Sequence, residues 1–176
     1  MSIFKKKTEN NQSSDKHYLT GKEIKEIAKA NAKVMKDLEK KKYRKCDESE
    51  FITSMDDDAN ILEIEDLHTY FFTDQGIVKA VNGVSFNIPK NKTVGIVGES
   101  GCGKSVTSMS IMRLLQGPTG QIYSGSIRFA AEDKTYDIAQ MPMSEIHRIR
   151  GKEIAMIFQE PMTSLKPIFT IRDTLD

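Results

Sequence analysis

The sequence predicts an α/β fold built around a glycine-rich loop, and three observations support this prediction. A short run rich in β-branched residues at 93–97 precedes the loop at residues 98–105, and a second apolar segment follows at 106–115. The first run predicts a buried strand, and the second predicts a helix that ends before Gly117 and Pro118. Alternating apolar and polar residues upstream predict antiparallel strands that lead into this unit.

The loop matches the pattern G-x-x-x-x-G-K-[ST] in the strand–loop–helix context that the pattern requires. Its residues are Gly98, Glu99, Ser100, Gly101, Cys102, Gly103, Lys104 and Ser105. Glycines let backbone N–H groups surround an anion, and the helix N-terminus adds the positive end of its dipole. Lys104 is predicted to contact the β- and γ-phosphates of a nucleotide, and Ser105 to place a hydroxyl on Mg²⁺. The alternative, a flexible loop with a chance lysine, leaves the eight matching positions and their context unexplained.

The length of 176 residues suits one domain with an appendage, and the charge is unevenly spread along it. Residues 1–55 hold 14 Lys and Arg against 9 Asp and Glu, whereas residues 56–176 hold 12 against 16. Cys46 and Cys102 lack metal-ligand spacing and lie far apart in unlike settings, so no disulfide is expected, which suits a reducing cytoplasm. No run approaches the roughly 20 apolar residues of a membrane span, so membrane association is expected to be peripheral or through a partner.

The first 59 residues are predicted to be a basic extension outside the main domain. Residues 1–19 are polar and predict disorder, and residues 46–59 are acidic and predict a linker. Between them, Thr20 and Glu23 form a capping box that begins an amphipathic helix at about 20–42. Three hypotheses fit this helix: it packs on the domain, it contacts an anionic membrane or a partner, or it is solvated and partly formed. Nucleic acid is not expected, because acidic residues interleave with the basic ones and aromatic residues are scarce.

The domain is predicted to span residues 60–176 and to begin with antiparallel strands. The expected strands are residues 61–72, 77–80, 84–88, 125–129 and 153–158, with turns at 73–76 and 89–92. A short helix is expected at 144–150, with Ser144 as its N-cap and Gly151 as its terminator. The last strand delivers Gln159 at its carboxyl end, the edge of an α/β sheet where ligands bind. Gln159 is therefore predicted to reach Mg²⁺ and the attacking water beside a γ-phosphate.

Three segments resemble the ATP-binding subunits of ABC transporters, and more narrowly those of oligopeptide and dipeptide importers. They are G-I-V-G-E-S-G-C-G-K-S-V at 95–106, S-I-M-R-L-L at 110–115 and R-G-K-E-I-A-M-I-F-Q-E-P-M-T-S-L at 150–165. The resemblance covers about residues 61–171. It departs from the pattern of this branch at Lys166, where Asn is usual, and at Arg172, where Gly is usual.

The resemblance implies a P-loop NTPase fold of ABC type, with an antiparallel β subdomain and an incomplete core sheet. It implies that ATP and Mg²⁺ bind, that Phe71 stacks on adenine and that Gln159 senses the γ-phosphate and Mg²⁺. A second interpretation of Phe71, within the run Tyr70-Phe71-Phe72, is a core residue. The implied partners are transmembrane permease subunits and a second ATPase subunit. The implied location is the cytoplasmic face of the cell membrane, and the implied cargo is short peptides.

Several parts of a complete ATPase of this family do not occur in the 176 residues. There is no Leu-Ser-Gly-Gly-Gln-like signature, no apolar run ending in Asp after Gln159, and no histidine after that residue. The chain is therefore expected to be an N-terminal portion of an ATPase subunit, or a truncated product. The alternative from another class is a non-catalytic fragment or docking module, and the coding sequence downstream of Asp176 discriminates between them. A P-loop kinase or GTPase is disfavoured, because no guanine-reading Asn-Lys-x-Asp occurs.

We predict weak or absent nucleotide binding and no ATP hydrolysis by the purified 176-residue chain. Phosphoryl transfer to water needs phosphate binding, metal and an oriented nucleophile together, and the chain lacks the acidic metal ligand and the general base. Steady-state phosphate release from ATP measures the hydrolysis directly. A turnover that disappears in Lys104→Ala would contradict the prediction, whereas a turnover that survives this substitution would identify a contaminating enzyme.

Overall fold

The structure, a computed structural model, describes residues 19–159 and contains one five-stranded antiparallel sheet. The sheet comprises β1 (Ile52–Thr53), β2 (Asn60–Thr73), β3 (Gly76–Pro89), β4 (Gly120–Ala130) and β5 (Thr135–Asp137). Two α-helices, α1 (Gly21–Lys42) and α2 (Lys104–Ile111), accompany it, with 3₁₀ helices at Glu48–Glu50 and Ile146–Arg148. Of the stretch predicted to be disordered at 1–19, residues 1–18 fall outside the described residues, as does the resemblance beyond Gln159.

Strand β2 is paired along both of its edges, with β3 on one side and β4 on the other, in the order β1-β5-β4-β2-β3. The predicted hairpin is confirmed, because Thr73 pairs with Gly76 and the pairing runs back to Asn60 opposite Pro89. The segments predicted separately at 77–80 and 84–88 form one continuous strand. The strand predicted at 125–129 is also confirmed, within the longer β4.

Helix α1 begins at the predicted capping box, in which the Thr20 hydroxyl accepts from the Glu23 backbone and the Glu23 carboxylate accepts from Thr20. The helix packs against the sheet through a polar anchor. The buried Asn31 side chain donates to the carbonyls of Thr73 and Gly76, at 2.6 and 3.4 Å, in the β2–β3 turn. Of the three hypotheses for this helix, packing on the domain is confirmed. Within residues 19–159, no helix combines the length and apolarity needed to cross a bilayer.

The core lies between one face of the sheet and the segments that cover it. Its fully buried side chains include Ile64, Leu67, Ile127, Ile138 and Met141. Phe51, which is 1% exposed, joins them from within residues 46–59. The segment predicted to be an acidic linker therefore packs into the core through Phe51 and supplies β1, whose Ile52 is partly buried against the core.

Two predicted buried strands are wrong. Residues 93–97 adopt no regular structure and are solvent-exposed, with Val97 at 94%. Residues 153–158 contain only an isolated parallel bridge from Ile154 to Arg150, and Ile157 is 94% exposed. A buried strand requires neighbouring strands for its backbone hydrogen bonds, and no strand of the described sheet pairs with either segment.

Helix α2 is shorter at its C-terminus than the predicted 106–115, because a left-handed residue ends it. Arg113 has φ of +53°. Its N–H donates to Ser110 and the N–H of Leu114 donates to Met109, which is the hydrogen-bond pattern of a Schellman motif. The helix therefore ends at Ile111, before the predicted stop at Gly117 and Pro118.

The helix predicted at 144–150 is also shorter and of a different type. It is a 3₁₀ helix over Ile146–Arg148, and Glu145 occupies the N-cap position expected for Ser144. Gly151 follows with φ of +78°, in the left-handed region that terminators favour. Three-residue helices of this type are common as connectors, since local turn hydrogen bonds suffice to form them.

A buried carboxylate, Glu63, organises the start of β2. It accepts from the Asn60 side chain, from the backbone N–H groups of Asp56 and Asp57, and from Arg128. Burial opposes its ionisation, but these hydrogen bonds outweigh that effect and lower the pKa of Glu63 from 4.5 to about 2. The ionised form is therefore part of the native structure.

We predict that Glu63→Gln lowers the free energy of unfolding by about 2 kcal/mol at pH 7. Because the folded pKa lies below the unfolded one, this stabilisation is present above pH 4.5 and is lost as the pH falls toward 2. Urea unfolding at pH 7 and pH 3 measures the difference, with Glu132→Gln, an 82% exposed side chain, as the control. Equal pH dependence in Glu63→Gln and the parent would contradict the prediction.

Candidate functional site

The loop at 98–105 leads directly into α2, which begins at Lys104. Its turn depends on two glycines with positive φ, Gly101 at +82° and Gly103 at +95°. Residues with a Cβ rarely adopt this region, so the loop needs glycine at both positions. The strand expected before the loop is absent from the described structure, whereas the helix expected after it is present.

Close packing on β3 fixes the base of the loop. A Cβ added to Gly103 would lie 2.4 Å from the carbonyl oxygen of Ala80, well inside van der Waals contact. Gly103 therefore lets the loop backbone lie against the sheet. The Thr107 hydroxyl and N–H both donate to the Gly103 carbonyl, at 3.0 and 2.8 Å, which ties this glycine to the first turn of α2.

The side chain of Lys104 folds back over the loop that precedes it. Its ammonium donates to the carbonyls of Gly98 and Glu99, each at 2.7 Å, and lies 3.6 Å from the Cys102 sulfur. A lysine ammonium has three N–H donors, so two are used strongly and the third makes only a weak contact. The positive charge is thus held at the mouth of the loop, beside the N-terminus of α2.

Helix α2 is fixed to the sheet by a buried pair of hydroxyls. Thr69 of β2 and Ser110 of α2 hydrogen-bond at 2.8 Å, and both side chains are fully buried. Ser110 also donates to the Val106 carbonyl. Because β2 is itself paired on both edges, this contact gives the helix and the loop a rigid support.

These features fit a phosphate group. The glycines leave the loop backbone accessible, the lysine supplies a cation, and the helix N-terminus supplies unpaired N–H groups. Ser105 is exposed at the second position of α2, where its hydroxyl is free to meet a metal ion that accompanies a nucleotide. Among the described residues, no cluster of three or more His, Cys, Asp or Glu side chains forms a separate metal site.

The other two predicted site residues lie outside the loop, one in β2 and one at the end of the described residues. Phe71 lies half-buried in β2 with its ring against Gly120 of β4, at 2.8 Å from the position of an added Cβ. Gln159 is exposed at the end of the described residues. No hydrogen bond within residues 19–159 joins either side chain to the loop. Their assignments to adenine and to the γ-phosphate stay predictions.

An arginine pair at the far end of α2 escaped prediction. Arg113 is buried and its Nη1 donates to the carbonyls of Ile138, Ala139 and Met141, at 2.6–3.1 Å. Arg150 donates to the carbonyls of Met112 and Arg113, both at 2.7 Å. Burial, with a smaller contribution from the neighbouring Arg150 charge, lowers the pKa of Arg113 to about 10.

These contacts anchor the end of the helix whose start carries the loop. A charged residue within the apolar run Ile111-Met112-Arg113-Leu114-Leu115 was the available signal, since a cation in such a run must find partners.

Comparison with known proteins finds a family of ATP-binding proteins whose match includes the loop at 98–105. A family model described as ABC transporter matches residues 81–174. The oligopeptide transport ATP-binding protein AppD of Bacillus subtilis is 49% identical over 117 residues, which cover 66% of this chain and 34% of the relative. The dipeptide transport ATP-binding protein DppD of the same species is 48% identical over 115 residues, or 65% of this chain and 33% of the relative.

A further relative, the oligopeptide transport ATP-binding protein OppD of Bacillus subtilis, is 46% identical over 113 residues. These cover 64% of this chain and 30% of the relative. The matched region thus spans about a third of the length of the relatives.

We predict that Gly103→Ala destabilises the protein more than Gly101→Ala. Both glycines have positive φ, so each alanine introduces backbone strain of about 1–2 kcal/mol. Only at Gly103 does the new methyl also collide with a backbone carbonyl, whereas at Gly101 nothing lies within 4 Å. Urea unfolding of the two variants isolates the collision, and equal destabilisation would show that the loop does not rest on β3.

Proposed function

Because the chain belongs to the ABC transporter family, we propose that it is the ATP-binding part of a peptide importer. In this proposal, residues 60–176 belong to the nucleotide-binding domain and residues 1–59 form an extension of it. ATP binding and hydrolysis by the assembled importer drive the uptake of short peptides. The fold is that of an ABC-type P-loop NTPase, with the antiparallel β subdomain described above.

The observation that carries this proposal is the arrangement of Lys104 over the loop, with the loop backbone resting on β3. A nucleotide triphosphate needs a cation beside exposed backbone N–H groups, and this loop provides both. The names of the relatives supply the substrate class, since they are oligopeptide and dipeptide transport ATP-binding proteins.

The loop residues hold the nucleotide in distinct ways in this proposal. Backbone N–H groups of residues 100–105 donate to phosphate oxygens. Lys104 exchanges its weak contact with the Cys102 sulfur for a phosphate oxygen, while its bonds to the carbonyls of Gly98 and Glu99 keep it in place. Phe71 contributes an aromatic face for the adenine.

Ser105 and Gln159 are the residues of this chain proposed to contact Mg²⁺. Mg²⁺ is a hard cation that prefers oxygen ligands, and a hydroxyl and an amide carbonyl both provide them. When bound, Mg²⁺ supplies positive charge to the phosphate oxygens. Hydrolysis also requires an acidic metal ligand and a general base beside these two residues.

The partners in this proposal are the transmembrane permease subunits of the importer and a second ATPase subunit. The protein then works at the cytoplasmic face of the cell membrane. In this proposal, peptide choice is assigned to other subunits of the importer. The competing proposal is a non-catalytic docking module. It takes the same family resemblance and assumes that the catalytic carboxylates are missing.

We predict that Lys104→Ala, introduced into the native gene, reduces uptake of a radiolabelled tripeptide by at least about tenfold. Removing the cation leaves the phosphates without their main charge partner. Lys92→Ala is the matched control, because Lys92 is an exposed lysine outside the loop. Uptake of a free amino acid measures whether the energy state of the cell has changed.

The two proposals give opposite results in this experiment. An importer ATPase loses peptide uptake in Lys104→Ala alone and keeps amino acid uptake in both variants. A non-catalytic module keeps peptide uptake in both variants, and that result would refute the ATPase role.

A further inference from the structure

The exposed side of α1 carries a continuous row of lysines, which we name the lysine stripe. Its members are Lys22, Lys25, Lys29, Lys33, Lys36 and Lys40, and all six side chains are exposed. Successive members are three or four residues apart. At 3.6 residues and 5.4 Å per turn, they lie within an arc of about 80° and extend over about 27 Å. Six positive charges therefore form one straight row on a rigid helix.

The opposite side of α1 is already occupied, which fixes the direction of the stripe. Asn31 points into the β2–β3 turn, where it donates to the Thr73 carbonyl at 2.6 Å. Near the other end, Glu39 accepts a hydrogen bond from Gln121 of β4, and the Lys42 carbonyl accepts from the Met143 N–H. The helix is thus docked along its length and presents the stripe to solvent.

The charges of the stripe are not neutralised within the described residues. No ion pair in the range 19–159 joins any of the six lysines to a carboxylate, although ion pairs form at eleven other atom pairs. Two acidic residues, Glu26 and Asp37, lie on the exposed side, and helical geometry places both on one flank of the stripe. The row keeps a net positive charge toward solvent.

We propose that the lysine stripe binds the surface of an anionic lipid bilayer. A straight row of ammonium groups suits a flat array of headgroup phosphates, because every member reaches the surface at once. The binding is electrostatic, since Asn31 docks the opposite side of α1 on the β2–β3 turn and the apolar residues on that side are partly buried. The inference rests on the proposed function for its location, because membrane-spanning subunits would hold the chain near lipid.

Nucleic acid fits the stripe less well. Single-stranded nucleic acid binds through aromatic side chains that stack on bases, and α1 contains no aromatic residue. Bidentate phosphate and base contacts favour arginine, and α1 contains none. Lysines alone, with two acidic residues beside them, match diffuse attraction to a charged surface.

The test is co-sedimentation of the purified 176-residue chain with vesicles of phosphatidylcholine containing 30% phosphatidylglycerol, at low and high salt. The stripe variant carries Lys25→Gln, Lys29→Gln and Lys36→Gln. The control variant carries Lys45→Gln, Lys90→Gln and Lys92→Gln, which removes the same charge from exposed lysines outside the stripe. Glutamine has a helix propensity close to that of lysine, so α1 is retained, and circular dichroism checks this.

We expect binding to the anionic vesicles and none to pure phosphatidylcholine, with a loss at high salt. The stripe variant should bind at least about tenfold more weakly, and the control less than about twofold more weakly. Equal loss in both variants would show that only net charge matters and would overturn the inference. No binding by the parent chain would also overturn it, as would stripe-dependent binding to a single-stranded oligonucleotide that outcompetes the vesicles.

The outcome is separable from that of the proposed function. Failure of vesicle binding, with peptide uptake still dependent on Lys104, removes the lipid inference and leaves the importer role. Vesicle binding with uptake independent of Lys104 supports the lipid inference and refutes the ATPase role.

Discussion

The two-sided pairing of β2 is the constraint on which the other elements depend. Its backbone bonds to β3 along one edge and to β4 along the other. Its Thr69 hydroxyl binds Ser110 of α2, and its terminal Thr73 carbonyl binds Asn31 of α1. Both helices are thus fixed to a strand that cannot shift without breaking two ladders of hydrogen bonds, and the loop at 98–105 is held through α2.

Local signals in the sequence predicted those elements whose partners are close along the chain. The capping box at Thr20 and Glu23, the hairpin turn at 73–76 and the glycine loop all depend on residues within a few positions of one another. The same local spacing predicted that Lys104 belongs to the loop, and the Lys104 side chain does lie over the loop backbone.

The failures concern residues whose structure depends on distant partners. The apolar runs at 93–97 and 153–158 have strand composition, but a strand in the interior of a sheet forms only where another strand offers its hydrogen bonds. The early end of α2 could not be predicted from local sequence either, because the carbonyls that bind Arg113 lie 25–28 residues further on. The burial of Phe51 could not be predicted from composition, because the residues around it are mostly acidic.

Arg113 must meet two requirements, one of its backbone conformation and one of its side-chain hydrogen bonds, and together they limit the substitutions that the position accepts. Its backbone occupies the left-handed region, for which glycine is the least strained choice. Its guanidinium binds three carbonyls, which glycine cannot do and which the point charge of lysine does poorly. Glycine meets the first requirement and fails the second, whereas arginine meets the second at the cost of a strained backbone. The C-terminal end of α2 therefore restricts substitution at Arg113 through both its backbone and its side chain, whereas the loop at the start of the helix restricts Gly101 and Gly103 through the backbone.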